Sequence, residues 1–214
     1  MKASEFLTSE ITPATAYIIG LSIPLYKEKL LVGENYIIGA VNHNANMITE
    51  EEIAIHFKSV NSLFEEYLPN SDDFLVYNQS PIYGTIQPKK GFSVIIEKDV
   101  EIYSKLVEYA KQILNKPENI KVAFVKGCFD GRSSFDTSRH FLSIDVDRNH
   151  NVQKVIEDII NSLGITVNLN QREYNHPKND QVRIVPQSLR RYMVKVGFYS
   201  ERRRKIVQDF LNTL

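Results

Sequence analysis

Apolar residues recur every three or four positions in several parts of the chain, a period typical of amphipathic helices. Thr12 followed by Pro13 is a typical helix start, and residues 49–52 (TEEE) form a capping box. Gly164 is a typical residue for a helix end. The spacing predicts four helices, at residues 12–24, 49–69, 99–113 and 152–164.

Six further runs are apolar and strand-like: residues 35–41, 74–77, 92–96, 141–146, 166–169 and 182–185. Several alternate with period two, so that Leu142, Ile144 and Val146 are separated by polar residues. Such a strand places its apolar side chains on one face of a sheet and its polar side chains on the other. The pattern predicts an α+β protein in which helices cover one face of each antiparallel sheet and the other face is wet.

The order of these elements occurs twice along the chain. Residues 16–24 (AYIIGLSIP) head the first run, and residues 123–131 (AFVKGCFDG) head the second. We interpret the chain as two αββαββα repeats, residues 1–115 and residues 116–214. Because neither unit alone can cover its apolar face, we expect a pseudo-dimeric monomer with a pseudo-two-fold axis and with its functional site where the halves meet.

Composition fits a globular body, since 43% of the 214 residues are hydrophobic. The N-terminal residues do not resemble a signal peptide, and no apolar run approaches the roughly 20 residues that span a bilayer. Cys128 is the only cysteine, which excludes an internal disulfide and a cysteine-based zinc knuckle. We therefore expect a soluble, cytoplasmic protein with no membrane partner.

The formal net charge is zero, but the charges are unevenly distributed. Residues 49–66 carry five glutamates and one lysine, whereas residues 172–209 carry ten Arg and Lys residues against four acids. A basic second half is compatible with phosphate binding on one face. The alternative is an ordinary solvated helix surface with a basic tail.

Several common catalytic motifs are missing from the sequence. It contains no phosphate-binding Gly-Lys-Ser/Thr loop and no GxGxxG motif, which argues against nucleotide hydrolysis and dinucleotide redox chemistry. Residues 42–44 and 149–151 both read NHN and are similar to fragments of nuclease motifs. They lack metal-ligand partners at helical spacing, so we interpret them as turn residues.

Gly20 and Gly127 occupy equivalent positions in the two runs. A glycine inside a helix costs about 1 kcal/mol relative to alanine, so a compensating interaction is expected. Without a side chain, each glycine allows a second helix backbone to approach closely. We predict that the two glycine-bearing helices pack against each other and join the halves.

These segments resemble the LAGLIDADG family of DNA-binding proteins and homing endonucleases, and the resemblance covers nearly the whole chain. Residues 124–131 (FVKGCFDG) are similar to the signature helix of the family, and residues 16–21 are a weaker copy. Residues 197–203 (GFYSERR) are similar to the segment that closes a repeat. The resemblance implies two signature helices in contact along the pseudo-dyad and two saddle-shaped antiparallel sheets that straddle the major groove.

The acidic metal ligands of the family are missing at their usual places. Family endonucleases carry Asp or Glu at the C-terminal end of each signature helix, where this chain has Leu25 and Arg132. Mg²⁺ requires hard oxygen ligands, and neither leucine nor a guanidinium group supplies them. The paired-metal site of the family is therefore absent in this alignment.

Asp130 is the only carboxylate within either signature segment. We predict it as the catalytic residue and, together with Asp145 and Asp147, as a ligand of an atypical Mg²⁺ site. The alternative is that Asp130 caps the turn at residues 130–134 by accepting backbone hydrogen bonds. In that case the other two carboxylates are solvated strand residues.

The resemblance implies that polar side chains on the wet strand faces read base edges, for which amide and guanidinium groups are suited. The candidate base-reading residues are Tyr77, Gln79, Asn168, Asn170, Arg172 and Arg183. Arg132 and Arg139, at the ends of elements, are expected near backbone phosphates.

The resemblance implies a sequence-specific double-stranded DNA-binding protein, and a divalent-metal-dependent endonuclease of homing or restriction type with an atypical site. The first alternative is a catalytically silent DNA- or RNA-binding protein, such as a transcription regulator or an intron maturase. A protein-interaction module is the third possibility, and a lack of salt-sensitive nucleic-acid binding would favour it.

Overall fold

The structure is a computed structural model that describes residues 10–25, 31–32, 35–43, 50–67, 75–78, 90–97, 102–173, 175–176 and 179–214. The first half contains α1 (Pro13–Ser22), β1 (Leu31–Val32), β2 (Asn35–His43), α2 (Glu50–Tyr67), β3 (Leu75–Asn78), β4 (Lys90–Glu97) and α3 (Ile102–Ile113). The second half contains α4 (Glu118–Arg132), β5 (Ser133–Asp136), β6 (Phe141–Val146), α5 (His150–Ser162), β7 (Val167–Asn170), β8 (Asp180–Ile184), α6 (Leu189–Lys195) and α7 (Glu201–Leu211). Short 3-10 helices follow α1 at Ile23–Leu25 and precede α6 at Pro186–Ser188. In these described ranges, no helix combines the length and the apolar character needed to cross a membrane.

The strands form two four-stranded antiparallel sheets with the same connectivity, β1-β2-β4-β3 and β5-β6-β8-β7. This arrangement confirms the α+β class and the four predicted helices, within a few residues at their ends. The saddle shape, the pseudo-two-fold axis and the division into repeats at residue 115 stay predictions.

Local hydrogen bonds account for the helix boundaries. The Thr12 side chain accepts from the backbone N of Thr15 at 3.2 Å, and the Thr15 side chain accepts from the Thr12 N at 2.9 Å, which closes a capping box before α1. The Asn149 side chain accepts from the backbone N of Asn151 at 3.0 Å at the start of α5, so this NHN motif is a helix cap. Gly164 has φ of +73°, which confirms it as the residue that ends α5.

The first and last parts of the second half differ from the sequence-based expectation. β5 (Ser133–Asp136) was not among the predicted strands, because its sequence SSFD lacks an apolar alternation. The predicted single closing helix is instead two helices, α6 and α7. Gly197, with φ of +60°, ends α6 by donating its N–H to the Tyr192 carbonyl at 2.9 Å.

Helices α1 and α4 are in close contact at the two glycines. A Cβ atom added to Gly20 would lie 2.1 Å from the carbonyl oxygen of Phe124, and one added to Gly127 would lie 2.2 Å from the carbonyl oxygen of Tyr17. A nonbonded carbon–oxygen contact is about 3.3 Å or longer, so only glycine fits at either place. The predicted contact between the glycine-bearing helices is confirmed.

The second sheet has one apolar face and one polar face. Leu142, Ile144 and Val146 of β6 are at most 1% exposed and face a core that α4 and α5 also line. Buried members of that core from the other elements are Phe124, Phe129, Ile156, Ile159, Val182 and Ile184. The helices cover this face, and the opposite face of the sheet carries the candidate site.

Candidate nucleic-acid interface

The polar face of the second sheet, called here the outer face, consists of the residues that alternate with the buried ones. They are Ser134, Asp136, Phe141, Asp145, Asn168, Asn170, Gln181 and Arg183, together with Ser143, which is buried among its neighbours on this face. The strand register sets them in rows, because Arg183 lies between Ser143 on β6 and Asn168 on β7. Gln181 likewise lies between Asp145 and Asn170. The period-two pattern therefore places polar side chains from neighbouring strands side by side.

A groove of about 450 Å³ opens on this outer face. Its lining residues are Ser134, Phe135, Asp136, Ser138, Arg139, Phe141, Ser143, Arg172, Gln181 and Arg183. Three of them are arginines, contributed by the β5–β6 turn, the segment after β7 and strand β8. The lining is mostly polar and is suited to a charged, hydrogen-bonding ligand.

The charges of two groove arginines act on the third, Arg183. Burial lowers the pKa of Arg183, and the charges of Arg172 and Arg139 lower it further, while Asp136 acts in the opposite direction. All three side chains nevertheless remain cationic at neutral pH, since guanidinium groups do not deprotonate in proteins. An anion in the groove would offset the unfavourable effect of Arg172 and Arg139 on Arg183.

Arg183 is held in one orientation by its neighbours. Its Nε and Nη2 both donate to Gln181 Oε1, at 3.1 and 2.9 Å. Gln181 Nε2 in turn donates to Asp145 Oδ1 at 3.0 Å. The guanidinium also lies over the Phe141 ring, 4.4 Å from its centroid. These contacts restrict the rotamers of Arg183 before any ligand binds.

Arg172 is anchored through its backbone. Its N–H donates to Oδ1 of the buried Asp180 at 2.9 Å, and Asp180 Oδ2 accepts from Gln153 Nε2 at 2.8 Å. Arg172 Nη1 lies 3.4 Å from His176 Nε2. Its buried Nε has no hydrogen-bond partner in the described residues. The contacts fix the position of this residue at the rim of the groove.

Arg139 lies in the turn between β5 and β6, which Asp136 organises. Asp136 Oδ1 accepts from Ser138 Oγ at 2.7 Å, Ser138 N at 2.9 Å and Arg139 N at 2.9 Å. The hydrogen bond from the Ser138 hydroxyl is the main reason that the pKa of Asp136 is lowered. Asp136 is thus the hydrogen-bond acceptor of a turn that presents the exposed Arg139.

The structure describes the other predicted contact residues to different extents. Asn168 is exposed on the outer face, and Asn170 is half-buried beside Gln181. For Tyr77, on β3 opposite Phe92, and for Arg132, the last residue of α4, the structure describes the backbone only. Gln79 lies outside the described residues. The structure therefore brings Arg139, Arg172 and Arg183 together in one groove and places Asn168 next to it.

Asp130 lies at the buried end of α4 and not on the outer face. Its Oδ2 accepts from the Tyr17 hydroxyl at 3.1 Å and from the Tyr199 N at 3.1 Å, and its Oδ1 accepts from the Ser200 N at 3.1 Å. Asp130 thus accepts backbone hydrogen bonds, as the alternative expected, but their donors are in the segment before α7. The expectation that residues 130–134 supply those donors is wrong.

Tyr17 and Arg203 complete the surroundings of Asp130. Burial raises the pKa of Tyr17 well above its usual value, and the charge and hydrogen bond of Asp130 raise it further. Burial lowers the pKa of Arg203, an effect that attraction to Asp130 opposes. Arg203 Nη1 is buried without a hydrogen-bond partner among the residues described. This network links α1, α4 and α7.

The three predicted metal ligands do not converge. Asp130 is engaged as described, Asp145 accepts from Gln181, and the Asp147 N–H donates to the Pro24 carbonyl at 2.7 Å. Within the described ranges, no cluster of three or more His, Cys, Asp or Glu side chains could hold a metal ion. The metal-binding and catalytic roles stay predictions that these contacts do not favour.

The helix ends do not supply replacement ligands. Leu25 ends the 3-10 helix after α1, and Arg132 ends α4. A leucine and an arginine offer no side-chain oxygen to a divalent cation, so the side chains present at these positions do not fit the metal pair that the family resemblance implies.

Sequence reasoning missed Gln181 and Phe141, the two residues that position Arg183. Gln181 lies two residues before Arg183, on the same face of β8, so extending the alternation would have identified it. Phe141 lies on a predicted strand, but its contact with an arginine on the neighbouring strand β8 is not visible in a local sequence pattern.

No protein-family model and no curated protein sequence matches the chain. Solved structures do match. The homing endonuclease I-DmoI in complex with DNA and Ca superposes with a TM-score of 0.56 at 13% identity, over 94% of this chain and 100% of that chain. The N-terminal LAGLIDADG domain of DUF199/WhiA superposes with a TM-score of 0.52 at 9% identity, over 91% of this chain and 89% of that chain.

Full-length DUF199/WhiA from Thermatoga maritima also matches, with a TM-score of 0.52 and 9% identity, over 99% of this chain and 64% of that chain. At these identities the likeness concerns the fold. The chain has a LAGLIDADG-like fold.

Proposed function

We propose that the chain binds double-stranded DNA through the outer face of its second sheet. The observation that carries this proposal is the groove in which Arg139, Arg172 and Arg183 lie together on a polar sheet face. The positive charges of Arg139 and Arg172 act unfavourably on Arg183, and a polyanion in the groove would offset this effect. A sheet face or β-ribbon can enter the major groove, where base edges are distinguishable.

The positions of the arginines suggest that some contact phosphates and others contact bases. Arg139 and Arg172 lie on segments that follow strand ends and would contact phosphates, which position the duplex. Asn168 and Arg183 lie within paired strands and would face the bases. If the repeats are related by a pseudo-two-fold axis, the first sheet would contact the other half of the site, and Tyr77 and Gln79 stay the contact residues predicted there from the sequence.

The solved neighbours support DNA as the partner, because several of the I-DmoI structures are DNA complexes. Some of them contain Mn or Ca, and one was obtained in the presence of Mg. In this chain the corresponding helix ends carry Leu25 and Arg132, and the Asp130 carboxylate already accepts three hydrogen bonds. We therefore favour binding without hydrolysis over the metal-dependent endonuclease that the sequence suggested.

The test is incubation of the full chain with fluorescent duplex DNA, single-stranded DNA and duplex RNA, with and without Mg²⁺ or Mn²⁺. We expect duplex DNA binding that weakens steeply, by about tenfold or more between roughly 50 and 200 mM salt, and intact DNA in every sample. Binding that ignores ionic strength, or a preference for RNA, would contradict the proposal. Metal-dependent cleavage would instead support the endonuclease prediction.

A further inference from the structure

We propose that Arg183 selects a guanine in the bound duplex and that Gln181 and Asp145 are positioning residues for it. The inference rests on the proposed function and makes it more specific. Three observations support it. Some donors of the guanidinium are already occupied, Arg183 lies on a central strand of the sheet, and the remaining donors match the acceptors of guanine.

The occupied donors determine how Arg183 can meet a ligand. A guanidinium has five N–H donors in a rigid plane. Nε and Nη2 each use one N–H on Gln181 Oε1. In the described part of the chain, Nη1 has no hydrogen-bond partner, so the end-on pair formed by Nη1 and the second N–H of Nη2 remains available.

The position in the sheet favours bases over phosphates. β8 has a hydrogen-bonded neighbour on each side, and Arg183 is paired with Ser143 on one side and Asn168 on the other. When a sheet face lies in a major groove, its central residues face base edges and its rims approach the two backbones. Arg139 and Arg172, outside the strands, occupy the rim.

The free donor pair matches guanine. In the major groove, guanine presents two adjacent acceptors, O6 and N7, whereas adenine presents an acceptor beside a donor, and cytosine presents a donor. Thymine offers one carbonyl acceptor and a methyl group. Two parallel donors from one guanidinium therefore complement guanine best among the four bases.

Gln181 and Asp145 fix the plane in which these donors lie. Because Gln181 Nε2 donates to Asp145, its Oε1 must face the guanidinium, and a flipped amide would place donors against donors. Asp145 thus sets the orientation of Gln181, and Gln181 sets that of Arg183. This arrangement gives Asp145 a role on the outer face that requires no metal.

The experiment begins with selection of bound sequences from a randomised duplex library by the full chain. Each guanine of the selected duplex is then replaced in turn by 7-deazaguanine, which removes the N7 acceptor and keeps the base pair. We expect one guanine whose replacement raises the Kd of the wild type about fivefold or more. The same replacement should leave the Kd of Arg183→Lys unchanged, because lysine keeps the charge but lacks the planar fork.

Asp145 offers a matched pair of variants. Asp145→Asn retains an oxygen that can accept from Gln181, and Asp145→Ala does not. We expect the first to keep most of the 7-deazaguanine penalty and the second to lose most of it, although both lose the same charge. Thermal unfolding of each variant confirms that it is folded.

The outcomes separate this inference from the proposed function. Failure to bind any duplex in a salt-sensitive way would overturn the proposed function, and this inference with it. Salt-sensitive binding without a guanine preference, or with a 7-deazaguanine penalty that persists in Arg183→Lys, would overturn the assignment of Arg183 alone. Equal effects of Asp145→Asn and Asp145→Ala would overturn the positioning role.

Discussion

Replacement of Gly127 by alanine tests how the two halves are joined. The added Cβ would lie 2.2 Å from the carbonyl oxygen of Tyr17. That oxygen belongs to the backbone of α1 and cannot rotate away as a side chain could. To restore a contact of about 3.3 Å, the two helices must separate locally by about 1 Å.

The size of the effect follows from two destabilising contributions and one stabilising contribution. Overfilling a well-packed core costs about 1–3 kcal/mol, and a clash with a helix backbone belongs at the upper end of that range. A gap of about 1 Å also forfeits up to roughly half of the dispersion energy of each affected contact. Alanine returns about 1 kcal/mol as the better helix former. We expect a net destabilisation of about 2 kcal/mol.

Urea unfolding gives the free energy directly, and the melting temperature should fall by about 4–8 °C for a protein of this size. Asn119→Ala, at an exposed position of α4, is the matched control and should change stability by less than about 0.5 kcal/mol. A Gly127→Ala variant at least as stable as the wild type would refute the close contact of α1 and α4.

Two further predictions concern the buried network at Asp130. Asp130→Asn should lower the unfolding free energy by about 3 kcal/mol, because an amide cannot replace a carboxylate that accepts three hydrogen bonds and attracts Arg203. Urea unfolding measures this, and unchanged stability combined with a selective loss of DNA cutting would support a catalytic Asp130 instead. Stability should also fall as the pH rises above about 10, since the folded chain keeps the Tyr17 and Tyr192 protons that the unfolded chain releases. In Tyr17→Phe the urea midpoint should fall less steeply with rising pH than in the wild type. An identical fall in both proteins would contradict the raised pKa of Tyr17.

Local patterns predicted much of the fold. Helical spacing located α1, α2, α3 and α5, and period-two alternation placed Asn168 and Arg183 on the same sheet face. The glycines predicted the α1–α4 contact, because a glycine in an apolar helix requires a compensating approach.

The features that sequence reasoning missed depend on contacts between distant positions. The partners of Asp130 on the loop before α7 lie 69 and 70 residues away, so a local pattern suggested the adjacent turn instead. Likewise, Asp145 was interpreted as a metal ligand because its hydrogen bond to Gln181, 36 residues away, exists only after the strands pair. Strand β5 was missed because its polar sequence is held by pairing with β6 and not by an apolar pattern.

The central claim is that the outer face of the second sheet holds the DNA, and the salt dependence of binding tests it most directly. Two double variants remove the same charge: Arg139→Gln with Arg172→Gln at the groove, and Arg190→Gln with Lys205→Gln at exposed positions of α6 and α7 outside it. The slope of log Kd against log salt should decrease by about 2 for the groove variant, about 1 for each lost phosphate contact, and remain unchanged for the control. Equal slopes for the two variants, or a decrease in the control alone, would contradict the account.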